Sequence, residues 1–499
     1  MRIAVIGGGI SGIAAARTLK RFGHEVIVYE RGPKIGGVWA AAYPGVKLQN
    51  TAETYRLSDF PWPFPVELHP SGTDVLRYLE AAVVHFGLDV RCNHDVGAMR
   101  ELPDGWELDV ATPDGRITER FEYAIVASGH YTQERSQIAL PGRETFTGEL
   151  LSEYDIQSFD VFKDKRVAIV GFGKTAVDMT MFALPLAKSV THVFRGARWL
   201  IPFYIGKKHL VEMVTPRSST AMEPAWVHPG RIEAGLHKRF GFLVKVYGKI
   251  ADRLVANAAG LKMRGSPEAR ARLKAVTPSL PLNTQMRGTM APPGFYDAVA
   301  DGRIAPVVGE IAGLNAAGLV LKDGREVPAD LVLLAIGHKV PDFPFLPEPY
   351  RGLMRAEPDG TPLYRHVLNP RIPRLAFAGF NHGFLHVPAV ELAMIWVGAL
   401  LRGDVLLPSS DEMLASAGRV HEWKRAHTQF EPTRAYLISN HFHQYFDVLL
   451  GDLGVTPWRK GNRNAEINAP YGPADYATVF EEYEQARTSG PRRTLPLDT

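Results

Sequence analysis

Two short glycine-rich stretches carry residues spaced to hold the phosphates of a dinucleotide. The first, Gly7-Gly8-Gly9-Ile10-Ser11-Gly12, fits GxGxxG. Gly7 permits a tight turn, Gly9 lets the backbone approach a pyrophosphate, and Gly12 lets the following helix pack on its strand. The N-terminus of that helix offers unbonded N–H groups and partial positive charge to an anion. Glu30 follows about 20 residues on, the place of the acid that hydrogen-bonds ribose hydroxyls.

The second stretch, Gly171-Phe172-Gly173-Lys174-Thr175-Ala176, contains the Gly-Lys-Thr of an ATP-binding loop. That loop also needs a glycine five positions before its GK[ST] glycine. Ala168 stands there, inside an aliphatic run, so the ATP reading fails. The stretch fits the dinucleotide form with a small final residue instead. Its next strand ends at Phe194 and is followed by Arg195 and Arg198, with no acid. Arginine pairs with a 2′-phosphate, which predicts NADP rather than NAD, and Lys174 adds charge near the pyrophosphate. The single cysteine, Cys92, excludes an intrachain disulfide and any CxxC redox or zinc motif. No metal site is predicted.

Such loops must sit between a strand and a helix. Residues 2–6 read as a buried parallel strand, 13–23 as a helix stopped by Gly23, and 25–31 as the next strand. A helix is predicted over 74–87, with strands at 106–110 and 121–128. The second unit runs from 166–170 to 191–194, its helix cut near Pro185. Residues 205–290 break this rhythm. Within them 231–274 is helical in pattern and rich in Lys and Arg, either a nucleotide-attracting or membrane-surface patch or a solvated helical face. A strand at 329–337 and a βα unit, 374–380 followed by 388–401, come next. The 499 residues suit two or three domains, and a net charge of +4 gives no case for a nucleic-acid partner. No charged-then-apolar leader precedes the first strand, and the apolar run 392–401 is too short to span a bilayer. A cytoplasmic protein is expected.

After the second strand comes Gly36-Gly37-Val38-Trp39. With GxGxxG and the acid, this pattern resembles the FAD-binding half of flavin-containing monooxygenases, relatives of Baeyer–Villiger and N-hydroxylating enzymes. The resemblance implies an α/β fold of two Rossmann-like dinucleotide-binding domains, the NADP domain inserted in the FAD domain. Residues 1–160 would begin the FAD domain and 161–334 form the NADP domain, with the helical insertion around 205–290. Residues 335–499 would complete the FAD domain and add a tail. The stretches 124–131 and 333–339 resemble the two interdomain linkers. FAD contacts are implied at Gly7, Gly9, Ile10, Ser11 and Gly12, at Glu30 and Arg31, and at Gly37, Val38 and Trp39. Asn50 and Val96 complete that set. NADPH contacts are implied at Gly171, Gly173, Lys174, Thr175, Arg195 and Arg198.

The family motif FxGxxxHxxx(Y/F) is half present in "FTGELLSEYDI". Phe146 and Gly148 match, Ser152 takes the histidine position, Ile156 the last, and Tyr154 stands nearby. Asn50 matches the asparagine that faces the flavin, and Arg287 matches an active-site arginine of Baeyer–Villiger enzymes. The resemblance implies reduction of FAD by NADPH, addition of O2 to give a C4a-(hydro)peroxyflavin, and oxygenation of a small molecule at nitrogen or sulfur. Attack on a ketone, an NADPH oxidase or flavin reductase, and, more remotely, a flavin-bound redox sensor are the alternatives. A helix near Pro388 would aim its N-terminus at the flavin, with His382 and His386 as acid–base or structural groups. A homodimer is compatible with this reading.

Overall fold

The computed structural model describes all residues except 130–135, 262–264, 286–287, 358, 430–435 and 495–499. Two five-stranded parallel sheets dominate it. The first runs in the order Leu375–Phe377, Tyr123–Val126, Arg2–Ile6, Glu25–Glu30, Asp89–Cys92. The second runs Ile304–Val308, Ser189–Phe194, Arg166–Val170, Leu331–Leu334, Glu149–Ser152. Their central strands are near-continuous buried aliphatic runs, as strands covered on both faces must be. The first sheet takes strands from both sides of the second in sequence, so the second unit is nested in the first, within a mixed α/β fold.

Sheet membership and the sequence differ at one edge. Glu149–Ser152 precedes residue 160, yet pairs with Leu331–Leu334 in the second sheet. The predicted strand at 121–128 also divides at Glu122. Phe121 ends the third strand of an antiparallel sheet, Asp95–Leu102, Gly105–Thr112 and Gly115–Phe121, while Tyr123–Val126 joins the parallel one. Trp106, Leu108 and Val110 of this antiparallel sheet share a core with Ile6, Ile27 and Tyr29.

Helix Gly72–Phe86 starts on Ser71, whose Oγ accepts from Asp74 N–H while the Asp74 carboxylate accepts from Ser71 N–H. This reciprocal cap leaves few orphan donors. Helix His386–Arg402 is buried along most of its length against helices Ile10–Arg21 and Phe442–Leu453. It begins two residues before Pro388, since proline is tolerated in a first turn where N–H groups have no intrahelical acceptor. The 205–290 region contains the helices Arg231–Ala258, kinked at Phe240, and Pro267–Ala275. Among the described residues no helix is long and apolar enough to cross a membrane.

Candidate functional site

Both fingerprints form the strand–turn–helix that their spacing predicts. At Gly7 φ is +116°, and a Cβ would stand 2.5 Å from the Ala127 carbonyl oxygen. At Gly171 φ is +126°, and a Cβ would stand 2.2 Å from the Ala335 carbonyl oxygen. Each first glycine is therefore demanded by its own fold. The third positions differ for a physical reason. A Cβ at Gly12 would lie 1.9 Å from the Gly7 carbonyl oxygen, whereas Ala176 is accommodated.

The two helices that follow start in the same way. Ile10–Arg21 and Lys174–Ala183 have glycine at the N-cap, Gly9 and Gly173, with no side-chain cap and no acid in the first turn. Helices Gly72–Phe86 and Ser410–His427 carry serine caps and first-turn acids. An uncapped helix start on glycine leaves N–H groups and room for an anion. At Gly173 no described residue other than its own chain neighbours comes within 4 Å of where a Cβ would be. These two cradles fit the pyrophosphates of FAD and NADPH.

Around the first loop, Glu30 accepts from Gly8 N–H at 2.8 Å and Gly32 N–H at 2.7 Å, which places its carboxylate against the loop. Gly36 N–H donates to Gly8 O, and Gly37, at φ +54°, lies against Gly9. Val38 and Arg31 are exposed beside them. Trp39 Nε1–H donates to Tyr55 Oη at 2.9 Å, and the two rings meet edge to face. Ile10 is buried, and Ser11 Oγ lies 3.1 Å from His386 Nε2. Burial pushes the His386 imidazole down to about 4, so it is neutral, and its buried Nδ1 has no hydrogen-bond partner among the described residues. An orphaned polar atom next to the fingerprint is a further point of fit for a bound cofactor. The Val96 side chain is buried in the apolar core with Tyr29 and Phe121.

Asn50 bridges the loop before the first helix-rich segment and the entrance of helix His386–Arg402. Its Nδ2–H donates to Phe384 O at 2.7 Å. Its backbone carbonyl faces His69 Nδ1 at 3.0 Å, and His69 Nε2 lies 3.2 Å from His209 Nε2. His209 Nδ1 accepts from Val211 N–H, which assigns the tautomers. His209 Nε2–H donates to His69 Nε2, and His69 Nδ1–H donates to Asn50 O. Burial lowers both imidazole pKa values and favours this neutral pair. The link ties residue 209 of the second unit to Asn50, and sequence reasoning missed it because its partners lie far apart in the chain. Arg287 lies outside the described residues. Met290 N–H, three residues on, donates to Gln49 Oε1 at 2.7 Å, so that segment reaches the neighbour of Asn50.

In the second loop Lys174 Nζ pairs with the buried Asp178 carboxylate, which also accepts from Tyr43 Oη–H at 2.8 Å. In the structure, then, the Lys174 charge is engaged one helical turn away rather than standing alone before the loop. An i,i+4 Lys–Asp pair was legible in the sequence. Thr175 is half-buried beside Tyr43. Beneath the loop, His192 Nε2–H donates to Gly171 O at 2.6 Å, and burial pushes its pKa down to about 4. Arg195 is exposed and Arg198 half-buried at the end of Ser189–Phe194. Ser152 Oγ–H and N–H both donate to Asp155, a turn-capping role. Tyr154 Oη instead lies 2.8 Å from Nε2 of His338, an imidazole supplied by the second crossing between the sheets. His228, Glu233 and His237 gather at the start of the long insertion helix, where His228 Nδ1–H donates to Glu233 and the rings of His228 and His237 stack.

Two parallel sheets, each with an uncapped glycine loop, define a class of protein built to hold two dinucleotides. Residues 1–227 match the family model described as flavin-binding monooxygenase-like. A probable flavin-containing monooxygenase 1 of Arabidopsis thaliana is 28% identical, and the alignment covers 97% of each chain. The S-allyl-L-cysteine S-oxygenase structure from Allium sativum superposes with TM-score 0.63 at 20% identity, covering 98% of this chain and 93% of that one. Cyclohexanone monooxygenase from Rhodococcus sp. Phi1 bound to NADP+ gives TM-score 0.68 at 18% identity, covering 91% and 97%. The resemblance read from the motifs is borne out: the chain is similar to flavin-containing monooxygenases along nearly its whole length, and FAD and NADPH are the cofactors that go with that class.

Proposed function

We propose that the chain uses NADPH and O2 to oxygenate a small organic substrate at nitrogen or sulfur. The observation that carries this is the pair of uncapped glycine-started helices, one per sheet. Bound FAD supplies the redox and oxygen chemistry. The chain's own part is to hold and orient. Glu30 stands at the ribose position, and Gly9 and Gly173 admit pyrophosphates. Arg195 and Arg198 pair with a 2′-phosphate. Asn50, fixed by Phe384 O and by His69, presents a neutral amide toward the reacting end. A neutral amide does less than a guanidinium to hold an oxygen donor as its anion, and its Oδ1 can accept a hydrogen bond from the protonated form, which favours soft nucleophiles as substrates.

A second reading is Baeyer–Villiger oxidation of a ketone. It rests on the contact between Met290 and Gln49, which brings the stretch after Arg287 next to Asn50. A substrate screen with oxygen and NADPH uptake measured together separates the two. N-oxide or sulfoxide products are expected. Ester products would establish the second reading, and NADPH consumption with peroxide alone would make the protein an oxidase.

A further inference from the structure

Helix Arg231–Ala258 carries a face that nothing else in the described chain covers. Beyond the kink at Phe240, the side chains of Phe242, Leu243, Val246, Ile250 and Leu254 are all exposed, from 42% at Leu243 to 62% at Phe242. They recur at the three- and four-residue spacing of one helical side. Val244, Val255 and Ala256 form the opposite, buried side. Lys245, Lys249 and Arg253 are exposed along the edge of the apolar stripe, with Lys238 and Arg239 just before it. The two acids of the helix are used against the protein. Glu233 accepts from His228 and from Gln444 Nε2–H, and Asp252 accepts from Leu282 N–H. The exposed side is thus apolar and cationic, with no anion among its residues.

Single exposed hydrophobic side chains are ordinary, whereas five contiguous ones on one helix mark an interaction surface. Charge decides what covers it. A second copy laid face to face would bring Lys245, Lys249 and Arg253 against the same cations with no acid to pair them. A nucleic acid would engage the cations and leave Phe242 and Ile250 in water. An anionic bilayer surface answers both demands, since its headgroups pair with Lys and Arg while its acyl boundary takes the apolar stripe. We propose that this helix docks the protein peripherally on anionic lipid. The proposal is independent of the reaction argued above.

Flotation of the FAD-loaded full chain with vesicles of phosphatidylcholine, alone or mixed with phosphatidylserine, tests it. Binding to the mixed vesicles only, weakened by salt, is expected. Lys249→Gln and Arg253→Gln should each lower the partition coefficient about 5-fold. Val246→Glu with Ile250→Glu should abolish binding while FAD content and NADPH oxidation stay unchanged, because both side chains face solvent. Equal binding to both vesicle types, or binding undiminished in the charge and apolar variants, overturns the proposal. A concentration-dependent dimer that the Val246→Glu, Ile250→Glu variant dissociates, without vesicle binding, assigns the face to a second copy and also overturns it. Binding of an oligonucleotide in place of vesicles does the same.

Discussion

Gly173→Ala separates what the fold requires from what a ligand requires. Gly173 has φ −87° and ψ −179°, a conformation open to any residue, and nothing lies within 4 Å of the added methyl. The folded protein should accept alanine at less than about 1 kcal/mol, the difference between glycine and alanine as caps. The methyl would instead occupy space that a pyrophosphate approaching the helix start must use. Crowding a well-packed contact by one methylene costs about 1–3 kcal/mol. At about 1.4 kcal/mol per tenfold, NADPH should bind roughly 5- to 150-fold more weakly. FAD content should not change, because the first cradle is built from other residues. Gly171→Ala is the control: its φ of +126° and the 2.2 Å approach to Ala335 O predict a lower melting temperature as well as weaker NADPH. Titration of NADPH against intrinsic fluorescence, with thermal unfolding of the same samples, reads both effects. Unchanged NADPH affinity in a stable Gly173→Ala protein would refute the placement of the pyrophosphate there.

Other expectations follow from the same geometry. Arg195→Ala should weaken NADPH and leave NADH unaffected, so the ratio of their KM values narrows; an unchanged ratio removes Arg195 from the 2′-phosphate site. His192, His386 and His441 are each pushed down to about 4 by burial, so the unfolded chain binds more protons than the folded one below the ordinary histidine pKa. Their contribution is complete above about pH 6.5 and is lost as pH falls toward 4, on the order of 3 kcal/mol for each group; urea midpoints that stay level from pH 7 to 5 would contradict this. His209→Ala should leave FAD bound but raise the peroxide released per NADPH, because Asn50 loses its brace. His209→Gln, whose amide can donate to His69, should restore coupling, and equal coupling in all three proteins would show that the link positions nothing.

The loops were legible because their demands are local. A tight turn, a close backbone approach and a small helix-packing residue each select glycine or alanine at a fixed offset, and the flanking strands are aliphatic runs. The helix read over 74–87 was equally plain, and it ends one residue earlier, at Phe86, because Gly87 adopts the left-handed conformation. What escaped depends on distant partners. Glu149–Ser152 has no strand pattern of its own and is a strand because Leu331–Leu334 offers a free edge. His192 reads as one of three polar residues in its strand until its bond to Gly171 O is seen. The junction at Glu122 was hidden because the residues on either side of it, Phe121 and Tyr123, are both buried aromatics. Lys174 is the opposite case, where local charge pairing was present in the sequence and the loop motif drew attention from it.

The repeated contact between a first glycine and the strand beside it has a mechanical consequence. Ala127 and Ala335 lie where the chain begins its two passages between the sheets, and each carbonyl forms the floor under one phosphate cradle. A rotation of one unit against the other about these crossings displaces an atom in proportion to its distance from them. Phosphates seated at the crossings would act as pivots and stay nearly still, while the far ends of the two dinucleotides would sweep the widest arcs. Such a rotation would let the chain keep its grip on both carriers while changing which of their ends meet.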